Sequence, residues 1–187
     1  MDPTTPKKKH GTSVKLSHCI VGLNYQDTNV SSTHNVCVCI EMIELKTLGL
    51  ISCTKKKQGY RCKASEMYST SDLFRKAYFY AVKNYDSVAI LSAKYGLLLP
   101  DDEIEPYNLT LNDMSSEEVK KWAEKTFNQM RSRLKLEDFA KVYFHAGKKY
   151  RQYLILKLEN ANIQCEVPLK NLGIGKQKAW YKMHDDC

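Results

Sequence analysis

The pattern of apolar and polar positions divides the chain after residue 44 into short apolar runs and longer amphipathic segments. Apolar runs of strand length occupy residues 45–52, 87–92, 140–145 and 163–169. Segments with helical spacing occupy residues 69–85, 115–134, 147–160 and 176–184. Strands that alternate with helices of these lengths predict repeated parallel βαβ units. We therefore predict a three-layer α/β fold, with a mainly parallel sheet of about four strands and helices on both faces.

Two of the predicted helices carry recognisable start signals. Ser71 is placed as an N-cap before the apolar face of the first helix. Ser115 and Glu118 have the spacing of a capping box, in which each residue satisfies a backbone N–H group of the other. These signals predict helices that begin immediately after Ser71 and Ser115.

The first 44 residues differ in composition from the rest. They are polar, with three consecutive lysines at positions 7–9 and many turn-forming residues, and only positions 36–43 resemble a strand. We expect residues 1–44 to form a basic, poorly ordered or accessory segment, and residues 45–187 to form a single α/β domain.

Composition narrows the class of partner. The 187 residues carry a formal net charge of +8, which favours polyanions and nucleic acid first. Seven cysteines at irregular spacings are typical of reduced thiols in the cytoplasm rather than of a disulfide framework. There is no apolar run long enough to cross a bilayer and no secretory pattern. We expect a cytoplasmic protein without a membrane partner.

Lysines follow each predicted strand. Lys56 and Lys57 follow the first strand, Lys94 the second, Lys148 the third and Lys170 the fourth. The carboxyl ends of parallel strands meet at one edge of a sheet, beside helix N-termini that favour anions. A lysine can follow a strand simply because loops are exposed to solvent. Lysines at four strand ends together nevertheless favour a phosphate or nucleic-acid site. Neither GxxxxGK[ST] nor a GxGxxG after the first strand is present, which disfavours P-loop NTPases and dinucleotide dehydrogenases.

Cysteine and histidine offer two further kinds of chemistry. Cys53 and His145 end strands that are neighbours in common doubly wound sheets, so a Cys–His nucleophile is one hypothesis. The simpler alternative is a thiol and an unrelated histidine. Zinc binding by Cys37, Cys39, Cys53 and Cys62 is disfavoured because their spacing lacks the paired C-x2-C of structural sites. We predict no metal site.

The stretch SAKYGLLLPDDEIEPYN at residues 92–108 combines aromatic and acidic residues after the second strand. Tyr95 or Tyr107 could stack on a base. Glu105, held by a flanking Pro-Tyr turn, is the candidate general acid/base or acceptor for a base edge. Asp101 and Asp102 are interpreted as a solvated turn or helix cap.

Four blocks of the sequence, in order, resemble a known family. They are LISCTKKKQGYRCKASEMYSTSDLFRKAYFYA, AILSAKYGLLLPDDEIEPYNLTL, VYFHAGKKYRQYL and PLKNLGIGKQKAW, which together span roughly residues 48–182. The blocks resemble the small bacterial, archaeal and phage domain related to peroxide-stress YaaA proteins. A more distant similarity, in the first loop and the S-x-x-G-L-x-P-x-E-x-x-Y pattern, is to the lysine-transfer domain of archaeosine synthase.

The resemblance implies a link to nucleic acid, because YaaA relatives are associated with DNA binding and protection from oxidative damage, and archaeosine relatives modify a tRNA base. By position, the motif includes Cys53 and Glu105, our catalytic candidates. The ligand-binding candidates that match the motif are Lys56, Lys57, Tyr68, Ser71, Ser92, Lys94, Tyr95, Gly96, Tyr107, Gly147 and Tyr150, to which the basic edge adds Lys148. His145 has no counterpart in the motif, and no helix-hairpin-helix element is evident.

The leading prediction is a nucleic-acid- or nucleobase-associated domain with a lysine-rich site at the carboxyl edge of the sheet, which modifies a base or protects DNA. The alternative is a transferase or hydrolase that acts on a nucleotide or amino acid and has no nucleic-acid partner. A binding or adaptor domain without activity is the third hypothesis. The sequence indicates no particular cofactor, and it leaves these alternatives open.

Overall fold

A computed structural model describes residues 45–184, and all structural statements below concern this part of the chain. Seven strands and five α-helices follow one another in chain order, with short 3-10 turns at Leu111–Asp113 and Leu136–Asp138. The strands are β1 (Lys46–Ser52), β2 (Cys62–Lys63), β3 (Ser87–Ser92), β4 (Gly96–Leu98), β5 (Glu103–Ile104), β6 (Phe139–His145) and β7 (Gln164–Glu166). The helices are α1 (Ala64–Met67), α2 (Asp72–Asn84), α3 (Ser116–Arg133), α4 (Lys148–Asn160) and α5 (Ile174–Met183).

The central sheet has five strands in the order β4-β3-β1-β6-β7. Strands β3, β1, β6 and β7 are parallel, and β4 pairs antiparallel with β3 at one edge. Helix α2 packs against α5, and α3 packs against α4, so that two helix pairs flank the sheet. This arrangement confirms the predicted three-layer, mainly parallel α/β fold.

The predicted helix starts are confirmed. The backbone N–H of Phe74 donates to Ser71 Oγ at 3.4 Å, and α2 begins at the next residue after Ser71. At the start of α3, Glu118 N–H donates to Ser115 Oγ at 3.3 Å, and Glu118 Oε2 accepts from Ser115 N–H at 2.8 Å. Both caps satisfy backbone donors that a helix leaves without internal partners.

The structure adds elements where the sequence pattern predicts only a loop. Residues 92–108 contain β4 and β5, and β5 pairs antiparallel with β2 in a separate two-stranded sheet. Strands of two or three residues are too short to show a hydrophobic period, which explains why the pattern does not indicate them. Strand β7 is also shorter than the predicted strand at 163–169, and α5 begins two residues before position 176.

Gly49 in β1 allows a close approach between the sheet and the end of α2. A Cβ atom at this position would collide with the ring of Tyr85, which lies immediately after α2. The absent side chain lets the Tyr85 ring lie over the sheet and stack on Tyr143 of β6, with 4.5 Å between ring centroids. Tyr85 is thereby directed toward the carboxyl end of β6.

Helix α3, at 18 residues, is the longest helix that the structure describes, and no described helix is both long and apolar enough to cross a membrane. The predicted N-terminal segment, residues 1–44, lies outside the described residues. Cys37 and Cys39, two members of the disfavoured zinc set, lie there as well.

Candidate functional site

A cleft of about 920 Å³ opens at the carboxyl ends of β1 and β6. These two strands are neighbours in the sheet. After β1 the chain continues through α2 to β3 on one side, and after β6 it continues through α4 to β7 on the other side. Such a switch point separates the loops and creates a ligand crevice in open α/β sheets. The cleft is lined by residues 51–57, 70–74, 77, 108–110, 112–113, 145–150, 174, 177–178 and 181.

The charge of the cleft is predominantly positive. Its lining contains the two aspartates Asp72 and Asp113 and the six lysines Lys55, Lys56, Lys57, Lys148, Lys149 and Lys178. A surplus of four positive charges over one concave surface attracts anions and raises their local concentration.

Three of these lysines already have partners for their ammonium groups. Lys57 donates to the Thr54 carbonyl at 3.0 Å, Lys149 donates to the Met114 carbonyl at 2.7 Å, and Lys178 forms an ion pair with Asp72 at 2.9 Å. The other three are Lys55, Lys56 and Lys148, and within residues 45–184 their ammonium groups have no hydrogen-bond or ion-pair partner. We call these three lysines the cationic mouth.

Two helices begin at this cleft without a side-chain cap. The N-cap residues of α4 and α5 are Gly147 and Gly173, which have no side chain to accept from the first backbone N–H groups. A Cβ atom added at either glycine would meet nothing within 4 Å, so the space beside both helix starts is open. Uncapped N–H groups and the helix dipole favour an anion such as phosphate at these positions.

A cluster of hydroxyl groups surrounds a thiol at the floor of the cleft. Cys53, which follows β1 directly, is 8% exposed, and its Sγ lies 3.2 Å from the Tyr150 hydroxyl. The Tyr107 hydroxyl interacts electrostatically with Cys53. It lies 2.9 Å from the Tyr68 hydroxyl and 2.8 Å from Ser92 Oγ. We call these five side chains the thiol cluster.

The loop after β3 is held so that Tyr107 reaches this cluster. The Trp122 indole N–H of α3 donates to the Ser92 carbonyl at 2.9 Å, and the Tyr95 N–H donates to Ser92 Oγ at 3.1 Å. The Tyr95 hydroxyl donates to the Glu105 carbonyl at 3.2 Å, and its ring packs edge-on against Tyr107. Residues 92–107 therefore fold back on β3 and return Tyr107 toward Cys53.

Burial keeps the three phenols of the thiol cluster from ionising. It raises the pKa of Tyr68, Tyr107 and Tyr150 above the ordinary tyrosine range, and the charge of a Cys53 thiolate raises all three further. The three phenols therefore stay protonated at neutral pH and remain hydrogen-bond donors. Burial lowers the pKa of Lys57, against the opposing effect of Cys53, and the Lys57 ammonium lies 4.3 Å from the Tyr107 ring centroid.

His145 lines the cleft but does not pair with Cys53. Its Nε2 lies 2.8 Å from the Tyr85 hydroxyl and its Nδ1 lies 2.7 Å from the Tyr181 hydroxyl, so both ring nitrogens have tyrosine partners. Burial lowers the pKa of His145 to about 4, so the ring is neutral at pH 7. The Cys–His hypothesis is therefore not supported: His145 faces α2 and α5, whereas Cys53 bonds to Tyr150 of α4.

The described residues offer no metal centre, since no group of three histidine, cysteine or acidic side chains in residues 45–184 is placed to hold an ion. Cys53 and Cys62 are both buried free thiols. A smaller depression of about 480 Å³ lies along α2, where Lys76 and Arg75 pair with Asp72, and it contains neither cysteine nor histidine.

The predicted site residues fall into three groups. Those that line the cleft are Cys53, Lys56, Lys57, Ser71, Gly147, Lys148 and Tyr150. Tyr68, Ser92 and Tyr107 lie behind the floor of the cleft, where they bond to one another. Lys94, Tyr95, Gly96 and Glu105 lie outside the cleft lining.

The residues outside the lining have identifiable surroundings. Lys94 is exposed, with its ammonium 5.0 Å from the Tyr95 ring centroid. Gly96, in β4, has φ of +82° and lies against the side chain of Gln129. The Glu105 side chain is exposed, and its contact with the site is the backbone bond to Tyr95. Its catalytic role stays a prediction.

Helix α5 contributes cleft residues that sequence reasoning missed. Gln177, Lys178 and Tyr181 all line the cleft, and Lys178 reaches Asp72 at the start of α2. Conversely, Lys170 lies outside the lining because β7 ends at Glu166, before the predicted strand end. Gln177 and Tyr181 are spaced to share one helix face, and this spacing was the available signal that they act together. The pattern does not indicate which element that face packs against.

These observations describe an α/β domain with a cationic cleft over a buried thiol. A family model described as a family of unknown function (DUF6884) matches residues 48–183, and the chain belongs to this family. The matched range includes every element that lines the cleft.

Among solved structures, the chain is similar to one titled "Crystal structure of AF0587, a protein of unknown function". The identity is 18% and the TM-score 0.39, over 74% of this chain and 43% of that one, so the chain spans less than half of that protein's length. A likeness at this level carries no argument about the site. No curated protein matches the chain.

Proposed function

We propose that this domain binds nucleic acid, or a nucleotide-like ligand, by holding phosphate groups in the cationic mouth of the cleft. One observation carries the proposal. Three lysines without partners, Lys55, Lys56 and Lys148, and the uncapped starts of α4 and α5 converge on one cleft at the switch point of the sheet. Ammonium groups and open backbone N–H groups are the donors that proteins direct at phosphate.

The cleft also has a surface suited to a base. Leu109 and Ile174 line it while being 40% and 64% exposed, so they present apolar contact area beside the cationic mouth. A volume of about 920 Å³ lies within the range that accommodates a small ligand or one flipped nucleotide. A phosphate at the helix starts and a base against these apolar side chains would direct the ligand toward Cys53.

The resemblance to YaaA proteins and to the lysine-transfer domain of archaeosine synthase supports the same direction. It suggests DNA protection or modification of a base as the activity within this proposal. In either activity Glu105 is the proposed acid/base or acceptor for a base edge. Because its carboxylate is exposed outside the cleft lining, it would act on a ligand that extends beyond the cleft.

Equilibrium binding to labelled single-stranded DNA, double-stranded DNA and tRNA tests the proposal. We expect submicromolar to micromolar binding at low salt that weakens steeply as salt increases, because phosphate binding releases counterions from the nucleic acid. Absence of binding to all three polymers and to nucleotides, or binding that salt does not change, would contradict the electrostatic basis of the proposal.

Competition separates the two kinds of ligand. A nucleoside monophosphate or diphosphate that displaces the polymer at micromolar concentration indicates a nucleotide-like ligand. Displacement by unlabelled polymer alone indicates a nucleic-acid site in which several phosphates contribute. A chain that binds nucleotides but no polymer would instead favour the alternative of a small-molecule transferase or hydrolase.

A further inference from the structure

We propose that Cys53 is the nucleophile of the cleft, held ready by Tyr107, Tyr150 and Lys57, and that it bonds covalently to an electrophilic carbon of the phosphate-bearing ligand. The inference deepens the proposed function and relies on it for the class of ligand. It adds a reacting atom, the Cys53 Sγ, to a site otherwise described only by the groups that bind phosphate.

The position of Cys53 suits a nucleophile. Its thiol lines the cleft at the carboxyl end of the central strand β1, and its backbone N–H is anchored to the Leu91 carbonyl at 2.8 Å. The cationic mouth lies in the same cleft, with Lys55 and Lys56 only two and three residues along the chain. A ligand with its phosphate in the mouth therefore has its next atoms close to Sγ.

The hydroxyl groups around Cys53 can all be oriented in favour of a thiolate. A thiolate only accepts hydrogen bonds, so Tyr150, whose hydroxyl lies 3.2 Å from Sγ, must direct its single O–H proton at the sulfur. The Tyr107 hydroxyl interacts electrostatically with Cys53 and can turn its proton toward the same atom. Tyr68 and Ser92 then donate to the Tyr107 oxygen at 2.9 and 2.8 Å. Every hydroxyl in the cluster keeps a partner in this arrangement, so ionisation of the thiol leaves no buried hydroxyl unpaired.

The three phenols of the cluster serve as donors. The three phenols are held protonated by burial and by the neighbouring thiolate charge, as their raised pKa values express. They therefore act as fixed donors to sulfur rather than as competing bases. This division of roles is how active sites prepare a cysteine for attack.

Lys57 contributes the compensating positive charge. Its ammonium is half-buried, is held by the Thr54 carbonyl at 3.0 Å, and interacts electrostatically with Cys53. Asp72 and Asp113 are the acidic side chains of the cleft lining, and Asp72 is neutralised by Lys178 at 2.9 Å. Lys57 is thus the half-buried cation whose charge acts on the thiol, and burial strengthens its effect.

The bond-forming step is balanced with groups already present. The thiolate gives its electron pair to a ligand carbon that is doubly bonded to nitrogen or oxygen, which forms an S–C bond. The displaced π-electron pair moves to that nitrogen or oxygen, which takes a proton from the Lys57 ammonium. No oxidant or reductant takes part, nothing leaves, and the reverse step restores the thiolate and the ligand.

The test is the rate at which each cysteine of the full chain is alkylated at pH 7, followed by peptide mass spectrometry. Iodoacetamide forms an S–C bond with a thiolate and releases iodide. Cys165 is the internal control, because burial raises the pKa of its thiol to about 12. We expect Cys53 to react at least about 100-fold faster than Cys165. Equal rates, or labelling of Cys53 only in denaturant, would overturn the inference.

Matched variants test the roles of the neighbours. Tyr107→Phe, Tyr150→Phe and Lys57→Met should each slow the labelling of Cys53 about tenfold, because each removes one donor or charge from the thiolate. Tyr153→Phe removes a tyrosine hydroxyl of α4 outside the cleft lining and should change the rate by less than about twofold. An unchanged Cys165 rate shows that each variant is folded. Wild-type rates in Tyr107→Phe, Tyr150→Phe and Lys57→Met alike would contradict the inference.

A second reagent separates failure of this inference from failure of the proposed function. Iodoacetate carries a negative charge, so the cationic mouth should make it react faster with Cys53 than iodoacetamide does, and inorganic pyrophosphate should slow both. Fast labelling of Cys53 by iodoacetamide, with no preference for iodoacetate and no protection by pyrophosphate, supports the nucleophile and contradicts the phosphate site. Slow labelling with tight pyrophosphate binding contradicts the nucleophile alone.

Discussion

The Tyr107 hydroxyl lies 2.8 Å from Ser92 Oγ, so the end of the loop at residues 92–107 is bonded to the strand from which that loop begins. Ser92 is fully buried at the end of β3. Its hydroxyl accepts from Tyr95 N–H and its carbonyl accepts from the Trp122 indole. One small polar residue therefore connects the sheet, helix α3 and the thiol cluster, and its hydroxyl has consequences for both stability and the site.

Ser92→Ala should lower the free energy of unfolding by about 1–3 kcal/mol, because it leaves the part-buried Tyr95 N–H without its acceptor and removes one of the two hydroxyl partners of Tyr107. Urea denaturation measures the change. Ser132→Ala is the control, since Ser132 is an exposed serine on α3 whose hydroxyl bonds to the Gln129 carbonyl. Its loss should cost less than about 0.5 kcal/mol. Equal effects of the two substitutions would contradict the role given to Ser92.

Asp102 and Arg133 form a bidentate ion pair that fastens the same loop to α3, with N–O distances of 2.7 and 2.8 Å. The Arg133 guanidinium lowers the pKa of Asp102, helped by Leu99 N–H. Because the Arg133 side chain is 34% exposed, Asp102→Asn should cost only about 1–2 kcal/mol at pH 7. Urea denaturation across pH measures it.

The sign of the pH effect follows from the lowered pKa of Asp102. The carboxylate stabilises the folded state above its unfolded-state pKa, and this contribution is lost as pH falls through the lower folded-state pKa. The gap between wild type and Asp102→Asn should therefore close toward strongly acidic pH. Asp101→Asn, which affects a pair whose carboxylate is 83% exposed, should change little at any pH. A gap that persists below the folded-state pKa would refute this account.

Gly96 should not tolerate a side chain. Its φ of +82° is unfavourable for other residues, and a Cβ atom there would collide with Gln129, whose side chain accepts from Leu97 N–H at 2.9 Å. We expect Gly96→Ala to destabilise the fold by about 1–3 kcal/mol, seen as a lower thermal midpoint. Gly59→Ala, at a position where a Cβ would meet nothing within 4 Å, should be within about 0.5 kcal/mol of wild type. The prediction fails if the two alanine variants melt alike.

His145 predicts a second pH effect. Its folded-state pKa of about 4 is below the usual value of 6.5, so the unfolded chain binds the extra proton between these values. The stability that neutral His145 provides is thus lost as pH falls from about 6.5 to about 4, by up to about 3 kcal/mol. His145→Asn should be less stable than wild type at pH 8, and this difference should shrink by pH 4.5. A constant difference would show that the folded and unfolded states bind a proton at His145 equally and would contradict its lowered pKa.

The sequence pattern was sufficient for the layers of the fold because burial imposes periodicity. The β1, β3 and β6 segments are apolar since both faces of a parallel sheet are covered, and Ser71 and Ser115 have the side-chain chemistry that caps a helix start. The switch point and its lysines follow from the order of these elements. By contrast, β2 and β5 are two-residue strands whose existence depends on tertiary pairing.

The thiol cluster shows where sequence reasoning ends. Cys53 and Tyr107 were each candidates, but their electrostatic interaction depends on the path of residues 92–107, which short-range patterns do not specify. The partners of His145 could not be predicted from the sequence either. Tyr85 reaches His145 because Gly49 has no side chain and leaves room for the Tyr85 ring over the sheet. Side-chain bonds between distant segments are a property of packing, not of spacing.

The most direct test of the central claim is the salt dependence of binding to single-stranded DNA, measured for two triple variants of equal charge. The site variant replaces Lys55, Lys56 and Lys148 with glutamine. The control variant replaces three exposed lysines outside the cleft, at positions 121, 125 and 135.

Each phosphate contact contributes about 0.7 to the slope of log affinity against log salt for a single strand. If the cationic mouth holds phosphate, the slope of the site variant should be smaller by about 2, and this variant should bind at least tenfold more weakly at low salt. The control variant should keep most of the wild-type slope and most of the wild-type affinity. Equal losses in the two variants would show that binding follows net charge alone and would contradict a phosphate site in the cleft.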